Sequence, residues 1–261
     1  MQTLLTFMLF LMPFLISSRE SSHPGLHTGL WTSLFFWGRV HPFFSILIFS
    51  LSVVYYIFQR KTCPEGQTKS FSHAGFWVPR PGARPLTAFL SILIIFCAFG
   101  NVSQDYAVVL NLDEAIQHVA LFLGFSGSLT GPIIFGLLSD KKGPFSAFIT
   151  LLFLGITGIG CTALSFALPH LLPVGSFLMQ SVIAGIFSLM PLLLLRFYGR
   201  PQISVVLPFL LLFLSGLWSA SLQFYKIAEG LSHDYLLTMV FLLLMATLLI
   251  YKAWRHRLTV L

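Results

Sequence analysis

The sequence has very little charge for its length. Asp, Glu, Lys and Arg make up 9% of the 261 residues, whereas an ordinary globular domain carries about 25%. Hydrophobic residues make up 56%. Such a chain lacks the polar surface that a water-soluble fold needs, so we predict a membrane protein whose surroundings are the lipid bilayer.

Cysteine and recognisable catalytic motifs are also scarce. The three cysteines, Cys63, Cys97 and Cys161, form no CxxC pair, which argues against a disulfide framework. His23 and His27 are the only closely spaced histidines and have no third metal ligand nearby. The sequence contains no GxSxG elbow, P-loop or HExxH motif. We therefore expect no catalytic residue, no metal and no cofactor, and predict that the protein is not an enzyme.

Continuous apolar runs dominate the chain. A helix needs about 20 apolar residues to cross a bilayer, and a membrane strand would instead show alternation. Eight runs qualify: 2–17, 43–58, 86–106, 117–139, 146–168, 171–195, 203–224 and 235–251. The predicted fold is all-α, a polytopic membrane bundle of about eight transmembrane helices.

The connections between these runs are unequal in charge. If both termini are cytoplasmic, 12 of the 15 basic residues lie inside and only Arg19, Arg39 and Lys226 lie outside. This is the positive-inside pattern of a multi-pass protein of the cell membrane, most simply a bacterial inner membrane. Topology thus explains the formal net charge of +7 without nucleic acid as a partner.

The first run is short. At about 1.5 Å per residue, residues 2–17 reach only about 24 Å. They resemble a signal-peptide core in length, but no Lys or Arg precedes them and no A-x-A site follows. We interpret them as a short span, followed at 17–31 (SSRESSHPGLHTGLW) by a turn-rich external connection.

A charged connection, GLLSDKKGP, separates two long apolar runs at residues 136–144. Its pattern resembles the loop motif of the major facilitator superfamily of transporters, which joins the second and third helices of each six-helix half. The matching positions are Gly136, Leu138, Asp140, Lys141, Lys142 and Gly143. The resemblance implies that Asp140 gates alternating access, and that Gly136 and Gly143 serve packing and the turn. Pro144 and Phe145 depart from the family's basic residues, which implies a weaker lock; the alternative is a plain hairpin loop.

The order of segments extends this resemblance. Residues 30–64 contain W-x-R, an apolar run, a basic pair and Pro64, as in the sixth helix of the family. Residues 59–85 are rich in Pro and Gly and predict a cytoplasmic linker. The six runs that follow match one facilitator half. The predicted organisation is therefore a two-span remnant of the first half at 1–58, the linker at 59–85 and a complete half at 86–261.

Polar residues inside apolar runs are candidates for a substrate pathway. Gln180 lies near the middle of its run, and Ser188 follows two turns later, before Pro191. Asn101, Gln104 and Asp105 close the run at 86–106. Each has a structural alternative: Gln180 as a helix-to-helix hydrogen bond, and Asp105 as a solvated helix end.

Together these features predict a secondary active transporter that moves a small polar or anionic solute by alternating access. The alternative is a non-transporting remnant, or half-chain, of a split carrier. A facilitator cavity forms between two halves, so a working half would need a homodimer or a partner half.

Overall fold

The computed structural model describes residues 23–38, 50, 83–100, 113–227 and 232–258. Their regular structure is entirely helical. The six helices are α1 (Pro24–Gly38), α2 (Ala83–Gly100), α3 (Glu114–Lys142), α4 (Pro144–Leu164), α5 (Leu171–Ile227) and α6 (Ser232–Leu258).

Within the described residues, four helical segments are long and apolar enough to cross a membrane. They are α3, α4, Leu171–Tyr198 of α5 and Leu236–Arg255 of α6, and α2 adds a shorter apolar helix. The prediction of an all-α fold is confirmed for the described residues, and the four apolar helices fit the predicted membrane location. The count of about eight spans stays a prediction. The runs at 2–17 and 43–58, except Ser50, lie outside the described residues.

Helix α5 folds back on itself. It is assigned as one helix of 57 residues, where the sequence predicts two segments. Phe187 and Trp218 are 31 positions apart, which is about 46 Å along a straight helix, yet their ring centroids lie 5.5 Å apart. The second part of α5 therefore returns alongside the first.

The close contacts fix the helix directions. Gly25 of α1 lies against Gly136 of α3, and Ser33 bonds to Leu129, so these two helices are antiparallel. Gly127 and Gly131 of α3 lie against Phe177 and Ser181, so the first part of α5 runs parallel to α3. Helix α2 is antiparallel to α5: Thr87 bonds to Tyr198, and Gly100 lies against Ile183.

The first part of α5 is the centre of the bundle. Of its most apolar 18-residue stretch, 89% is buried, against 28–44% for the other three candidate spans. The surrounding helices turn large apolar side chains outward, including Phe122, Phe153 and Leu237. In a bilayer this outward surface meets lipid tails, which are as apolar as the side chains.

The expectation of a connecting loop at residues 17–31 is wrong over α1. Pro24 lies in the first helical turn, where its missing N–H is tolerated. Gly25, Gly29 and Ser33 then recur every four residues and lie on the face that packs against α3. These residues suggested turns, but on one helix face they permit close packing. Since α1 begins beside Asp140, its start lies at the Asp140 end of the bundle, not at the opposite end.

Candidate functional site

The connection between α3 and α4 is shorter than the sequence indicated. Helix α3 continues to Lys142 and α4 begins at Pro144, so Gly143 alone makes the turn. Its φ of 86° and ψ of 156° are open to glycine but strained for other residues. The Gly143 N–H donates to the Ser139 carbonyl oxygen at 2.8 Å, closing the end of α3.

Asp140, in the last turn of α3, caps the start of α1. Its Oδ1 accepts a hydrogen bond from the Gly25 N–H at 2.7 Å, and its Oδ2 accepts one from the Leu26 N–H at 2.9 Å. The first N–H groups of a helix have no partner within the helix. A carboxylate there satisfies them and also interacts favourably with the positive end of the helix dipole. The contact joins segments 115 residues apart.

Small residues bring α1 close enough for this cap. A methyl group at Gly136 would overlap the Gly25 carbonyl oxygen, and one at Gly29 would overlap the Pro132 carbonyl oxygen. One turn further, the Ser33 hydroxyl donates to the Leu129 carbonyl oxygen at 2.6 Å. The two backbones are therefore in direct contact along the whole seam, with Asp140 at one end.

The other motif residues divide between core and surface. Leu138 is half-buried and packs against the hydrophobic core. Lys141 and Lys142 are exposed. The Arg196 guanidinium reaches the Gly143 turn, where a methyl group on Gly143 would lie 3.6 Å from it. The Asp140 end of the bundle is thus strongly basic around one carboxylate.

The two described pathway candidates are enclosed within the bundle. Gln180 is 3% exposed, and its side-chain Cγ would lie 3.4 Å from a methyl group at Gly124. Ser188 is fully buried and donates to the Gly185 carbonyl oxygen of its own helix at 2.9 Å. Asn101, Gln104 and Asp105 lie outside the described residues.

The structure does not bring the two candidate sites together. Gln180 lies beside Gly124, which is 16 positions before Asp140 on α3, or about 24 Å along the helix. A polar group within the bundle and a polar contact at its end are therefore separate features.

Sequence reasoning missed the partner of Asp140. The backbone N–H groups of Gly25 and Leu26 are the donors in this contact. Almost every residue has a backbone N–H, so the residue types do not reveal which ones bind Asp140. The available signal was Pro24 followed by Gly25, Gly29 and Ser33, which combines a helix start with a face of small residues.

The part of the chain that the structure describes contains no group of three or more His, Cys, Asp or Glu side chains positioned to hold a metal ion. No protein-family model fits the chain, and no curated protein aligns significantly with it.

Proposed function

We propose that the protein is a secondary active transporter that moves a small polar or anionic solute by alternating access, with Asp140 as its conformational lock. The observation that carries this proposal is the pair of hydrogen bonds from Gly25 and Leu26 to Asp140. They form a compact polar contact between α1 and α3 at one end of the bundle. Such a contact can break as a unit when α1 and α3 separate.

The strength of the lock suits a reversible switch. Hydrogen bonds to a charged group contribute about 1.5–3 kcal/mol each. Moving a two-state equilibrium from 1:99 to 99:1 requires about 5.5 kcal/mol. Two such bonds therefore hold one state firmly, while differential binding of a solute or coupling ion remains large enough to release it.

The arrangement of the helices also supports a relationship to the major facilitator superfamily. Helices α3 and α4 are joined by the motif turn, and α1 precedes the set and packs against α3. We propose that α2–α6, with α5 counted as two segments, form one facilitator half and that α1 belongs to the other. About eight spans follow if the runs at 2–17 and 43–58 also cross.

The basic residues favour a cytoplasmic Asp140 end, as in a bacterial inner-membrane protein. Arg84 begins α2 and Arg196 lies beside Gly143, both at this end. Helix α6 starts near Gly100, because Met239 contacts it, so Lys252 and Arg255 return to the same end. The carboxyl terminus is then cytoplasmic. Because α1 also begins here, a crossing by residues 2–17 would place the amino terminus outside, contrary to the expectation of two cytoplasmic termini.

The second candidate is a half-chain that needs a partner, or a non-transporting remnant. The observation that favours it is the 89% burial of the central stretch of Leu171–Tyr198 by the chain's own helices. The resemblance implies that this helix lines a cavity, but here the described helices enclose it. A second copy or a partner half would then have to supply the other wall.

Uptake into sealed liposomes tests the transporter proposal without a known substrate. The full chain and its Asp140→Ala and Asp140→Asn variants would be supplied with a mixed metabolite extract, with and without a proton or sodium gradient. Retained solutes would be measured by mass spectrometry, with Lys252→Ala as a control, because Lys252 is exposed and lies outside the loop motif.

The expected result is gradient-dependent accumulation of a solute that changes in the Asp140 variants but not in Lys252→Ala. If neither gradient produces accumulation, the transporter proposal fails for the isolated chain. If accumulation is equal in all four proteins, the lock is wrong but transport stands.

A further inference from the structure

The Gln180 side chain differs from the other buried polar side chains in its hydrogen bonding. Among the described residues, its Nε2 is the one buried side-chain nitrogen or oxygen without a hydrogen-bond partner. Its neighbours on α5 are satisfied within their own helix: Ser181 donates to Phe177 and Ser188 donates to Gly185. Those hydroxyls need nothing further, whereas the Gln180 carboxamide retains unused donors.

An unused donor at this position is costly. A buried polar group without a partner costs about 1–3 kcal/mol, and in a membrane no water replaces the missing acceptor. The chain could avoid this cost with an apolar residue of similar shape. An unpaired amide inside a membrane bundle therefore indicates a partner that is present only part of the time.

The seam between α3 and α5 loosens where Gln180 lies. At Gly127 and Gly131 the two backbones are in contact, because an added methyl group would overlap the Phe177 or Ser181 carbonyl oxygen. At Gly124 an added methyl group would only touch, at 3.4 Å from Gln180 Cγ and 3.7 Å from Ser176 Cβ. The nearest atoms here belong to side chains, which can move aside, and the nearest backbone atom, the Ser176 carbonyl oxygen, is 3.8 Å away.

The charge around Gln180 does not suit an anion. The described basic residue that follows on α5 is Arg196, 16 positions away, or about 24 Å along the helix. Asp113 and Glu114 lie at the start of α3, on the side of Gly124 that is away from Asp140. A buried anion requires a paired cation. No described Lys or Arg lies here, and His118, six positions before Gly124, is exposed and lies 3.5 Å from the Glu114 carboxylate. An uncharged solute with a carbonyl or hydroxyl oxygen needs only the N–H donors.

We propose that Gln180 is a solute-binding residue whose Nε2 donates to an oxygen of an uncharged polar solute when the Gly124 part of the α3–α5 seam opens. This inference rests on the proposed transport function and narrows its substrate class from polar or anionic to neutral.

Thiol accessibility tests the proposal without a known solute. The full chain, with Cys63, Cys97 and Cys161 changed to Ala, would carry Gln180→Cys in sealed membrane vesicles. Two membrane-impermeant methanethiosulfonates would be applied from each side, one with a trimethylammonium group and one with a sulfonate. The matched control is Ile183→Cys, which is fully buried on the same helix and faces Gly100. Ser176→Cys, one turn before Gln180, replaces the first variant if that variant does not fold.

We expect the thiol at position 180 to react at least about tenfold faster than that at position 183, because a thiol that reaches water reacts and a buried one is inert. We also expect the ratio of the two reagents' rates to equal the ratio measured with a free thiol in solution, because a pathway for an uncharged solute favours neither charge.

Equal slow reaction at 176, 180 and 183 would overturn the binding role and leave Gln180 as a packing contact. If the sulfonate reagent reacts about tenfold faster than the free-thiol rate ratio predicts, the pathway is positively charged and the proposal of an uncharged solute is overturned. If uptake is gradient-driven but the thiol at position 180 does not react, only the binding role of Gln180 is contradicted. If that thiol reacts but no uptake occurs, the proposed transport function is contradicted.

Discussion

Two helices of nearly equal hydropathy occupy opposite environments in this protein. The most apolar stretches of Leu171–Tyr198 and Leu236–Arg255 have mean hydropathies of 2.1 and 2.2, but 89% of the first is buried and only 28% of the second. The first contains Gly175, Ser181 and Gly185 among its packing residues, whereas the second has no glycine. Because lipid gives no hydrophobic drive between helices, apolar content alone does not decide which helix lies at the centre. The central helix makes its closest contacts through small residues.

The largest effect is expected where the central helix meets α3 backbone to backbone. Gly131→Ala would place a methyl group on the Ser181 backbone, which cannot move aside without shifting α5. We expect a loss of about 3 kcal/mol or more in unfolding free energy, measured by denaturant titration in detergent. Gly160→Ala is the control, since a methyl group there meets nothing within 4 Å. An equal loss of unfolding free energy in both variants would contradict the importance of small residues for packing the central helix.

The next effect is expected at the Asp140 cap. Asp140→Ala leaves the Gly25 and Leu26 N–H groups without their acceptor, which should cost about 2 kcal/mol. Hydrogen exchange of these two amides should quicken, while amides in the middle of α4 stay protected. Asp140→Asn should fall between the two proteins, because one oxygen still accepts but the charge is lost. Unchanged exchange at both amides would contradict the cap.

A smaller effect of opposite sign is expected at Gln180. Gln180→Met removes the unpaired amide but keeps the shape, so the protein should gain about 1 kcal/mol in stability while losing solute uptake. Ser181→Ala, whose hydroxyl bonds within its own helix, should change neither by much. A loss of stability in Gln180→Met would mean that the amide has a partner within the bundle, and the structural alternative would then hold.

The smallest effect is expected on the outer face of α6. Leu244 and Leu248 are exposed, so Leu244→Ala and Leu248→Ala should each change the unfolding free energy by less than about 0.5 kcal/mol. The measurement is the same denaturant titration. A loss above about 1 kcal/mol in either variant would indicate that this face packs against protein, such as a second copy, rather than lipid.

Four of the eight apolar runs coincide with the four described segments that are long and apolar enough to cross a membrane, because length and hydropathy define such segments. The run at 117–139 falls within Glu114–Lys142, and that at 146–168 overlaps Pro144–Leu164. Helix α1 was missed because Pro24, Gly25 and Gly29 are turn formers until a neighbouring helix makes their small size useful. The partner of Asp140 could not be predicted either, since it consists of backbone groups 115 residues earlier in the chain.

That separation also has a consequence for the order in which the protein is made. The start of α1 leaves the ribosome first, and its cap follows only after another 115 residues. At about 5–20 residues per second, this interval is roughly 6–23 s. During it, α1 is present without the acceptor for its first N–H groups and without the α3 face that receives its glycines. The newly made chain therefore passes through a stage in which α1 depends on the insertion machinery or on the lipid headgroups, and it docks only when α3 arrives.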